Sequence, residues 1–443
     1  MRPLAATLAT TGLPLFVGLR WVAGPRALRF GMGGLLGVAF LGIGALLGGL
    51  VGAVLPGAAL VLTLAYVLGP RWRFVLDGED AVGPTARRLV VAVLVVGAVL
   101  LLLAVWRPVA WWDGWMIWSL KAKALAATGD FSGPVFTNPV YGTSHPDYPP
   151  LLSCWQAVAY LLQGTSEVSW PLQVQLAFLW TMGGLTLVSL ASRWGTGAVL
   201  IFGAWVFAPH LVRQMLSGYA DVPMAMFLVA GAAALWIGPR GGSMAPAGVL
   251  LGAGALTKNE GLPLALLVLI PLLFSAEFRS RALRVGAVLI VAYLPWGIFV
   301  RVRGFANDLA SAVGDDPVGP GTILARVPVV AFELSRELLW PLRWALLTLA
   351  CVAVIALTRR VCAPLAATTL GSLGLFSVIY VTAAVDFDFL VEFSVGRVVT
   401  TPLGFLALAA AWSLRPVGLT EPSGLDASVE TGHPTRPRER LLR

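Results

Sequence analysis

The sequence is dominated by apolar stretches of about the length needed to cross a bilayer, and this feature restricts its possible folds most strongly. A membrane helix needs roughly 20 apolar residues, and no segment long enough for a soluble domain lacks such a stretch. Only 12% of the 443 residues are charged and 58% are hydrophobic, whereas soluble domains carry about 25% charged residues. We therefore expect an all-α polytopic membrane protein, which excludes a soluble enzyme with a single anchor.

About thirteen stretches, within a range of twelve to fourteen, are candidate spans. They lie near 4–19, 31–51, 54–70, 89–107, 169–191, 196–210, 220–238, 245–257, 261–275, 284–300, 341–358, 362–383 and 397–413. The first stretch lacks a clear signal-peptide cleavage site, so we interpret it as a retained span. A signal-like or interfacial segment is the alternative.

Arginine positions orient the spans, because cytoplasmic loops carry an excess of Lys and Arg. A single orientation places the following arginines inside: Arg20, Arg26, Arg29, Arg71, Arg73, Arg87, Arg88, Arg193, Arg240, Arg279, Arg281, Arg284, Arg359, Arg360 and Arg415. It requires that 151–162, which is too short to span, lies at or dips into the outer interface. The net charge of +9 then belongs to membrane-side loops, and nucleic acid is not an expected partner.

Two further residue types indicate packing more than chemistry. The three cysteines, Cys154, Cys351 and Cys362, fall in or beside apolar segments, which supports neither a disulfide framework nor a Cys-based metal site. Gly44, Gly48 and Gly52 repeat at the four-residue spacing that lets membrane helices approach closely.

The lysines are the most informative charged residues. This chain uses Arg nearly everywhere, and its only lysines are Lys121, Lys123 and Lys258. All three fall on the predicted outer side, against the positive-inside trend, so we expect them to meet an anion there. Alternatively, Lys121 and Lys123 extend to lipid headgroups.

The first large outer loop, 108–168, begins with a tryptophan-rich segment and is expected to hold interfacial helices. Asp113 stands at the start of the first helix, and a spacing of four residues places Asp113, Ile117 and Lys121 on one face. Asp113 is a candidate catalytic group, with a helix N-cap as the alternative. His145, Asp147 and Tyr148 precede the prolines that favour the start of the next helix, but one His beside one Asp is weak evidence for a metal site.

Three later segments place ionisable residues at outer span ends, where charged groups are costly and therefore functional candidates. Asp221 precedes Pro223 and could be catalytic or a simple cap. A very short hairpin holds Lys258 and Glu260, and these two could also form only a paired turn. Arg397 lies at the mouth of the last span, where a bidentate guanidinium would suit a phosphate.

Together these residues give the sequence a resemblance to the GT-C superfamily of integral-membrane glycosyltransferases, nearest to the protein O-mannosyltransferase and lipid A aminoarabinose transferase branch. The matching features are Asp113, the entry Tyr148-Pro149-Pro150-Leu151, Asp221, the hairpin Thr257-Lys258, and Arg397. The resemblance covers about 89–413, which would be the catalytic module. Residues 1–88 would then be additional N-terminal helices, and 414–443, rich in Pro and Arg, a disordered cytoplasmic tail. Many relatives carry Asp-Glu where this chain has Asp113-Gly114.

The resemblance implies transfer of a sugar from a polyprenyl-phosphate donor to an acceptor hydroxyl of a glycan, lipid or protein, with inversion. The site would face the extracytoplasmic side of the plasma membrane. Asp113 would be the general base, and Asp221 would orient the acceptor or a cation. Lys258 and Arg397, followed by Lys121 and Lys123, would bind the leaving phosphate.

Further roles and the competing functions complete the expectations. Glu260, Tyr148, His145 and Asp147 would position substrate, no cofactor is indicated with certainty, and a divalent metal ion is possible. The main competing function is a transporter or flippase for a lipid-linked or anionic solute, although such sites usually lie near the bilayer midplane between internal repeats. A scaffold without catalysis and an O-antigen-ligase-like enzyme are two further competing functions.

Overall fold

The structure, a computed structural model, is built almost entirely from helices. It describes residues 2–76, 83–107, 109, 111–168, 170–238, 243–305, 318–339, 344–360, 362–383 and 387–416. The helices are Arg2–Thr7, Leu8–Gly12, Leu13–Gly18, Leu19–Trp21, Arg26–Leu50, Val54–Leu68, Pro84–Trp106, Asp113–Ser119, Leu120–Thr128, Pro134–Thr137, Pro139–Ser144, Leu151–Gln163, Trp170–Ala191, Ser192–Trp194, Thr196–Val206, Pro209–Gln214, Asp221–Ile237, Ala245–Ala255, Gly261–Leu273, Arg279–Arg303, Pro320–Leu338, Leu346–Thr358, Ala363–Thr382, Phe387–Val398 and Thr400–Ser413. Two strands of two residues, Val22–Ala23 and Phe74–Val75, pair in parallel.

The apolar helices confirm the expected class, an all-α membrane protein. Within the described ranges, six helical segments are long and apolar enough to cross a membrane: Arg26–Leu50, Pro84–Trp106, Trp170–Trp194, Arg279–Arg303, Ala363–Thr382 and Leu390–Ser413. Six more apolar helices are 10–17 residues long. Every stretch predicted from the sequence contains a helix, while the number of thirteen spans stays a prediction.

The N-terminal helices pack into the body of the protein. Helix Arg26–Leu50 is buried over most of its length, and Gly31 lies so close to helix Trp170–Ala191 that a Cβ there would be 2.6 Å from the backbone nitrogen of Thr186. The predicted glycine packing is confirmed at Gly44 and Gly48. A Cβ on either would meet the backbone of the following helix or of its N-cap residue, Ala53, at 2.8 Å or less.

The remaining glycine of that repeat has a different role. Gly52 adopts a positive φ of 76° and has open space where a Cβ would lie. This φ lies in the left-handed region that favours glycine, so Gly52 shapes the turn between the two helices and does not pack against a neighbour. The three cysteines are buried free thiols, as expected.

Arginines hold helix ends together at the end predicted to be cytoplasmic. Arg281 Nη1 donates to the carbonyl oxygen of Gly238 at 3.1 Å, and Arg360 Nη1 donates to the carbonyl oxygen of Arg415 at 2.9 Å. These four residues come from segments that the arginine pattern placed on one side. Arg240 and residues 417–443, which include most of the predicted disordered tail, lie outside the described residues.

The loop predicted to face outward contains helices, and one of them is enclosed by the rest of the protein. Helix Leu151–Gln163 has nearly all of its side chains buried inside the protein, and its position at or dipping into the outer interface stays a prediction. Trp155 Nε1 donates to the carbonyl oxygen of Thr10 at 2.7 Å, which joins this helix to the first helical segment. The reason is that helices before and after it in the chain pack against it and cover its faces.

Candidate active site: an ion-pair cluster from four segments

Five ionisable side chains from four separate segments meet in one continuous set of contacts, which we name the ion-pair cluster. Its members are Asp113, Asp221, Lys258, Glu260 and Arg397. Arg397 Nη1 lies 2.6 Å from Asp113 Oδ2 and 4.0 Å from Asp221 Oδ2. Lys258 Nζ lies 3.0 Å from Asp221 Oδ1 and 3.1 Å from Glu260 Oε1. Asp221 therefore connects the two cations.

The ion-pair cluster is more open on one side than on the other. Asp113 and Arg397 keep 24% and 16% of their side-chain surface exposed, whereas Asp221 keeps only 3%. The accessible edge is therefore the Asp113–Arg397 pair, and Asp221 with Lys258 lies behind it. A small polar molecule would reach Asp113 and Arg397 first.

Lys258 stays protonated in this setting. Burial by itself would lower the pKa of Lys258, but the carboxylates of Asp221 and Glu260 outweigh burial and raise that pKa well above its ordinary value. Tyr148 acts in the same direction, which places its side chain within electrostatic reach of the ion-pair cluster. Three carboxylates facing two cations give a formal charge of −1.

Helix starts position the two aspartates, but neither aspartate serves as the cap. Helix Asp113–Ser119 has Trp112 as its N-cap residue, helix Asp221–Ile237 has Ala220, and neither cap residue forms a side-chain capping bond. Both carboxylates instead point to cations. The capping alternatives are therefore not supported by the geometry.

A close contact between two glycines brings these aspartates together. A Cβ on Gly114 would lie 3.0 Å from the carbonyl oxygen of Ser217 and 3.1 Å from Cα of Gly218. Gly218 itself has a positive φ of 85°, which favours glycine. The residue after Asp113 must be small for this contact, which gives a physical reason for glycine at position 114.

The hairpin that carries Lys258 is held by contacts with the start of helix Leu151–Gln163 and with the loop before that helix. The backbone N–H of Leu151 donates to the carbonyl oxygen of Leu256 at 3.0 Å. The side-chain amide of Asn259 donates to the buried carboxylate of Asp147. Asp147 thus holds the hairpin through Asn259, the residue next to Lys258.

Lys121 and His145 form a neighbouring contact set of a different kind. Lys121 is fully buried, and its ammonium donates to the carbonyl oxygen of His145 at 2.8 Å and lies 5.6 Å from the centre of the Tyr148 ring. The His145 ring stacks on that of Tyr148 at 4.5 Å. Lys121 therefore ties the loop together in this structure, while Lys123 is partly exposed on the same helix.

Three residues near the ion-pair cluster were not predicted. The Tyr219 ring lies 4.1 Å from the guanidinium carbon of Arg397, in cation–π geometry. The Tyr380 hydroxyl is 2.8 Å from Ser394 Oγ, on the helix that carries Arg397. Tyr219 stands two residues before Asp221, and this aromatic neighbour was a usable signal, whereas Tyr380 has none in the sequence.

Among the residues that the structure describes, no group of three or more His, Cys, Asp or Glu side chains is placed to hold a metal ion. Comparison with known proteins adds no identity: no family model, no curated protein and no solved structure matches the chain. The structure therefore defines a helical membrane protein with a largely buried ion-pair cluster, in which the pair Asp113–Arg397 is partly exposed.

Proposed function

We propose that the protein is a glycosyltransferase that moves a sugar from a polyprenyl-phosphate donor to an acceptor hydroxyl at the extracytoplasmic face of the plasma membrane. The observation that carries the proposal is the convergence of Asp113, Asp221, Lys258 and Arg397, which are separated by up to 284 positions in the chain. A carboxylate beside two fixed cations supplies the two functions that this transfer needs, proton removal and stabilisation of a departing phosphate.

Asp113 is the proposed general base because it is the most exposed of the three carboxylates in the ion-pair cluster. The acceptor oxygen attacks the anomeric carbon and gives its proton to Asp113, while the bond from that carbon to the phosphate oxygen breaks. The electron pair stays on the phosphate, and the attack from the opposite face inverts the anomeric centre.

Arg397 is the proposed first contact for the leaving phosphate. It shares the accessible edge with Asp113, and its guanidinium can present several N–H groups to phosphate oxygens. Lys258 is deeper and already contacts two carboxylates, so its charge acts on the phosphate from behind. Asp221 orients both cations, and Glu260 positions Lys258.

The other predicted residues support the site from its edge. Lys121 and His145 organise the loop that leads to Tyr148, and Asp147 holds the hairpin through Asn259. Lys123 would meet the phosphate or lipid headgroups from its partly exposed position. A divalent ion, if used, would have to share the carboxylates that now contact Lys258 and Arg397.

The test is Asp113→Asn in purified full-length protein, supplied with polyprenyl-phosphate sugars extracted from the native membrane. We expect transfer to fall about 10²- to 10⁴-fold, which is the usual contribution of a general base. Asp130→Asn is the matched control, because Asp130 lies in the same loop and bonds only locally, to Ser132, and it should leave transfer unchanged.

Two results would contradict the proposal. Undiminished turnover by Asp113→Asn would refute the base assignment. If purified protein in vesicles moved a lipid-linked or anionic solute across the bilayer and transferred no sugar, the transporter or flippase function would replace the enzymatic one. A strain without the protein should accumulate a polyprenyl-phosphate sugar and lack one glycan decoration, as measured by mass spectrometry.

A further inference from the structure

An aromatic ring lies against the arginine at the accessible edge of the ion-pair cluster. The guanidinium carbon of Arg397 lies over the Tyr219 ring, 4.1 Å from its centre. This separation fits two planar groups stacked face to face, an arrangement in which the ring attracts the cation. The carboxylates contact Arg397 through a nitrogen: Nη1 is 2.6 Å from Asp113 Oδ2 and 4.0 Å from Asp221 Oδ2. Tyr219 therefore adds an uncharged contact of a different kind.

The two carboxylates alone do not fix the plane of the Arg397 guanidinium. Both contact the same nitrogen, Nη1, at one corner of the group, and a planar group held at one corner can still rotate. At its other end, Nε is buried and has no hydrogen-bond partner among the residues that the structure describes. The Tyr219 ring restrains this rotation, because it lies against the planar face.

Tyr219 is itself held by its own loop and by a second aromatic ring. Its backbone N–H donates to Ser217 Oγ at 3.3 Å. The Trp111 ring packs against the Tyr219 ring, with centroids 6.0 Å apart. Trp111 stands two residues before Asp113, so the segment that carries the proposed base also supports the ring that holds Arg397.

The phenol of Tyr219 stays protonated at neutral pH. Burial raises its pKa most strongly, the nearby carboxylates act in the same direction, and the nearby arginines offset them only in part. An uncharged phenol does not compete with an anion for Arg397. A ring on the face of a guanidinium also occupies none of its N–H groups, which lie in the plane of the group.

We propose that Tyr219 is a positioning residue for the donor phosphate: its ring holds the plane of Arg397 while the phosphate takes the N–H groups that Asp113 now contacts. The inference rests on the proposed function, in which Arg397 meets the phosphate and Asp113 accepts the proton. When the phosphate binds, Asp113 gives up its contact with Arg397, and the restraint at Nη1 is lost. The restraint from Tyr219 remains, so it matters most in the donor-bound protein.

The test measures the binding of farnesyl phosphate, a short polyprenyl monophosphate, to detergent-solubilised full-length protein by isothermal titration calorimetry. Tyr219→Leu should weaken binding about tenfold, which is the usual contribution of a partly shielded cation–π contact. Tyr219→Phe keeps the ring and should recover the wild-type affinity to within about twofold. Farnesol, which lacks the phosphate, should bind equally to the wild type and both variants.

Tyr66→Leu is the matched control for the loss of a ring beside an arginine. The guanidinium carbon of Arg20 lies over the Tyr66 ring, 4.4 Å from its centre, so the type of contact is the same. Arg20 belongs to the end predicted to be cytoplasmic. Farnesyl phosphate should therefore bind Tyr66→Leu as it binds the wild type.

A second comparison tests whether Tyr219 acts through Arg397. In an Arg397→Gln background, Tyr219→Leu should weaken farnesyl phosphate binding no further, because the cation that the ring holds is already gone. A residue with a merely structural role would cause the same loss in both backgrounds. If Tyr219→Leu does not fold, Tyr219→Met, which also lacks a ring, takes its place.

The outcomes separate this inference from the proposed function. Farnesyl phosphate binding that is absent in the wild type, equal in the wild type and Tyr219→Leu, or equally weak in Tyr219→Phe and Tyr219→Leu overturns the positioning role. If binding depends on Tyr219 through Arg397 but the protein transfers no sugar, the positioning role stands and the glycosyltransferase proposal fails. If sugar is transferred and Tyr219→Leu leaves the KM for the lipid-extracted donor unaltered, only the positioning role fails.

Discussion

The buried contact between Lys258 and Asp221 should contribute strongly to stability, and this contribution can be isolated. The two side chains are 3.0 Å apart and keep only 10% and 3% of their surface exposed. A hydrogen bond between charged groups contributes about 1.5–3 kcal/mol, and isolating a buried charge costs about 3–5 kcal/mol. Neither charge becomes isolated here, because Lys258 keeps Glu260 at 3.1 Å and Asp221 keeps Arg397 at 4.0 Å. We therefore expect a coupling free energy near the lower limit, about 2 kcal/mol.

A double-mutant cycle measures this coupling. Lys258→Met, Asp221→Asn and the double variant are unfolded alongside the wild type by SDS titration in mixed micelles. The cycle removes the separate effects of each substitution and leaves the pair term. Each single variant should lose unfolding free energy, and the double variant should lose about 2 kcal/mol less than the sum of the two.

An exposed ion pair in the same chain provides the control. Arg336 and Glu333 lie 2.6 Å apart on helix Pro320–Leu338, but Arg336 is 46% exposed. Arg336→Met with Glu333→Gln should give a coupling of about 0.5 kcal/mol or less. If the Lys258–Asp221 cycle gave no more than this control, the buried pair would not hold the ion-pair cluster together, and our reasoning from burial would be refuted.

Three other predictions concern single positions. Gly114→Ala should lose about 1–3 kcal/mol of unfolding free energy in the same titration, because its Cβ would press on Ser217; an unchanged value would contradict the close contact. The pKa of Lys258 is raised on folding, so the unfolding free energy that Lys258 adds should be constant from about pH 6 to about pH 9 and decline only above the ordinary lysine pKa of about 10.4. A loss of unfolding free energy near neutral pH in the wild type but not in Lys258→Met would contradict this. Arg397→Lys should raise the KM for the donor about tenfold, because a point charge replaces a planar fork; an unaltered KM would argue against phosphate contact.

The helical class and the residues of the ion-pair cluster could be predicted because both depend on strong local signals. Apolar length identifies spans, and a charge at the end of a span, such as Lys258 or Arg397, stands out against an apolar background. The arginine pattern then put these residues on one side of the membrane. Their meeting at distances of 2.6–4.0 Å agrees with that prediction and is brought about by the packing of the helices.

Other features depend on contacts between distant segments and leave little trace in the sequence. The burial of helix Leu151–Gln163 could not be predicted, because its apolar face suits lipid as well as protein. Lys121 donates hydrogen bonds to the backbone carbonyls of His145 and Tyr148, and these partners could not be predicted, while its contact with an anion stays a prediction. A carbonyl partner depends on the path of the loop, which no residue type specifies.

The bond between Leu151 and Leu256 has a consequence for how the protein can be divided. It joins the hairpin of Lys258 to a helix whose Trp155 is hydrogen-bonded to Thr10. The first helical residues therefore help to hold a lysine that lies far from them in the sequence. Cutting the chain before 89 would not release a self-sufficient unit. It would remove residues that support the helix to which the hairpin of Lys258 is bonded.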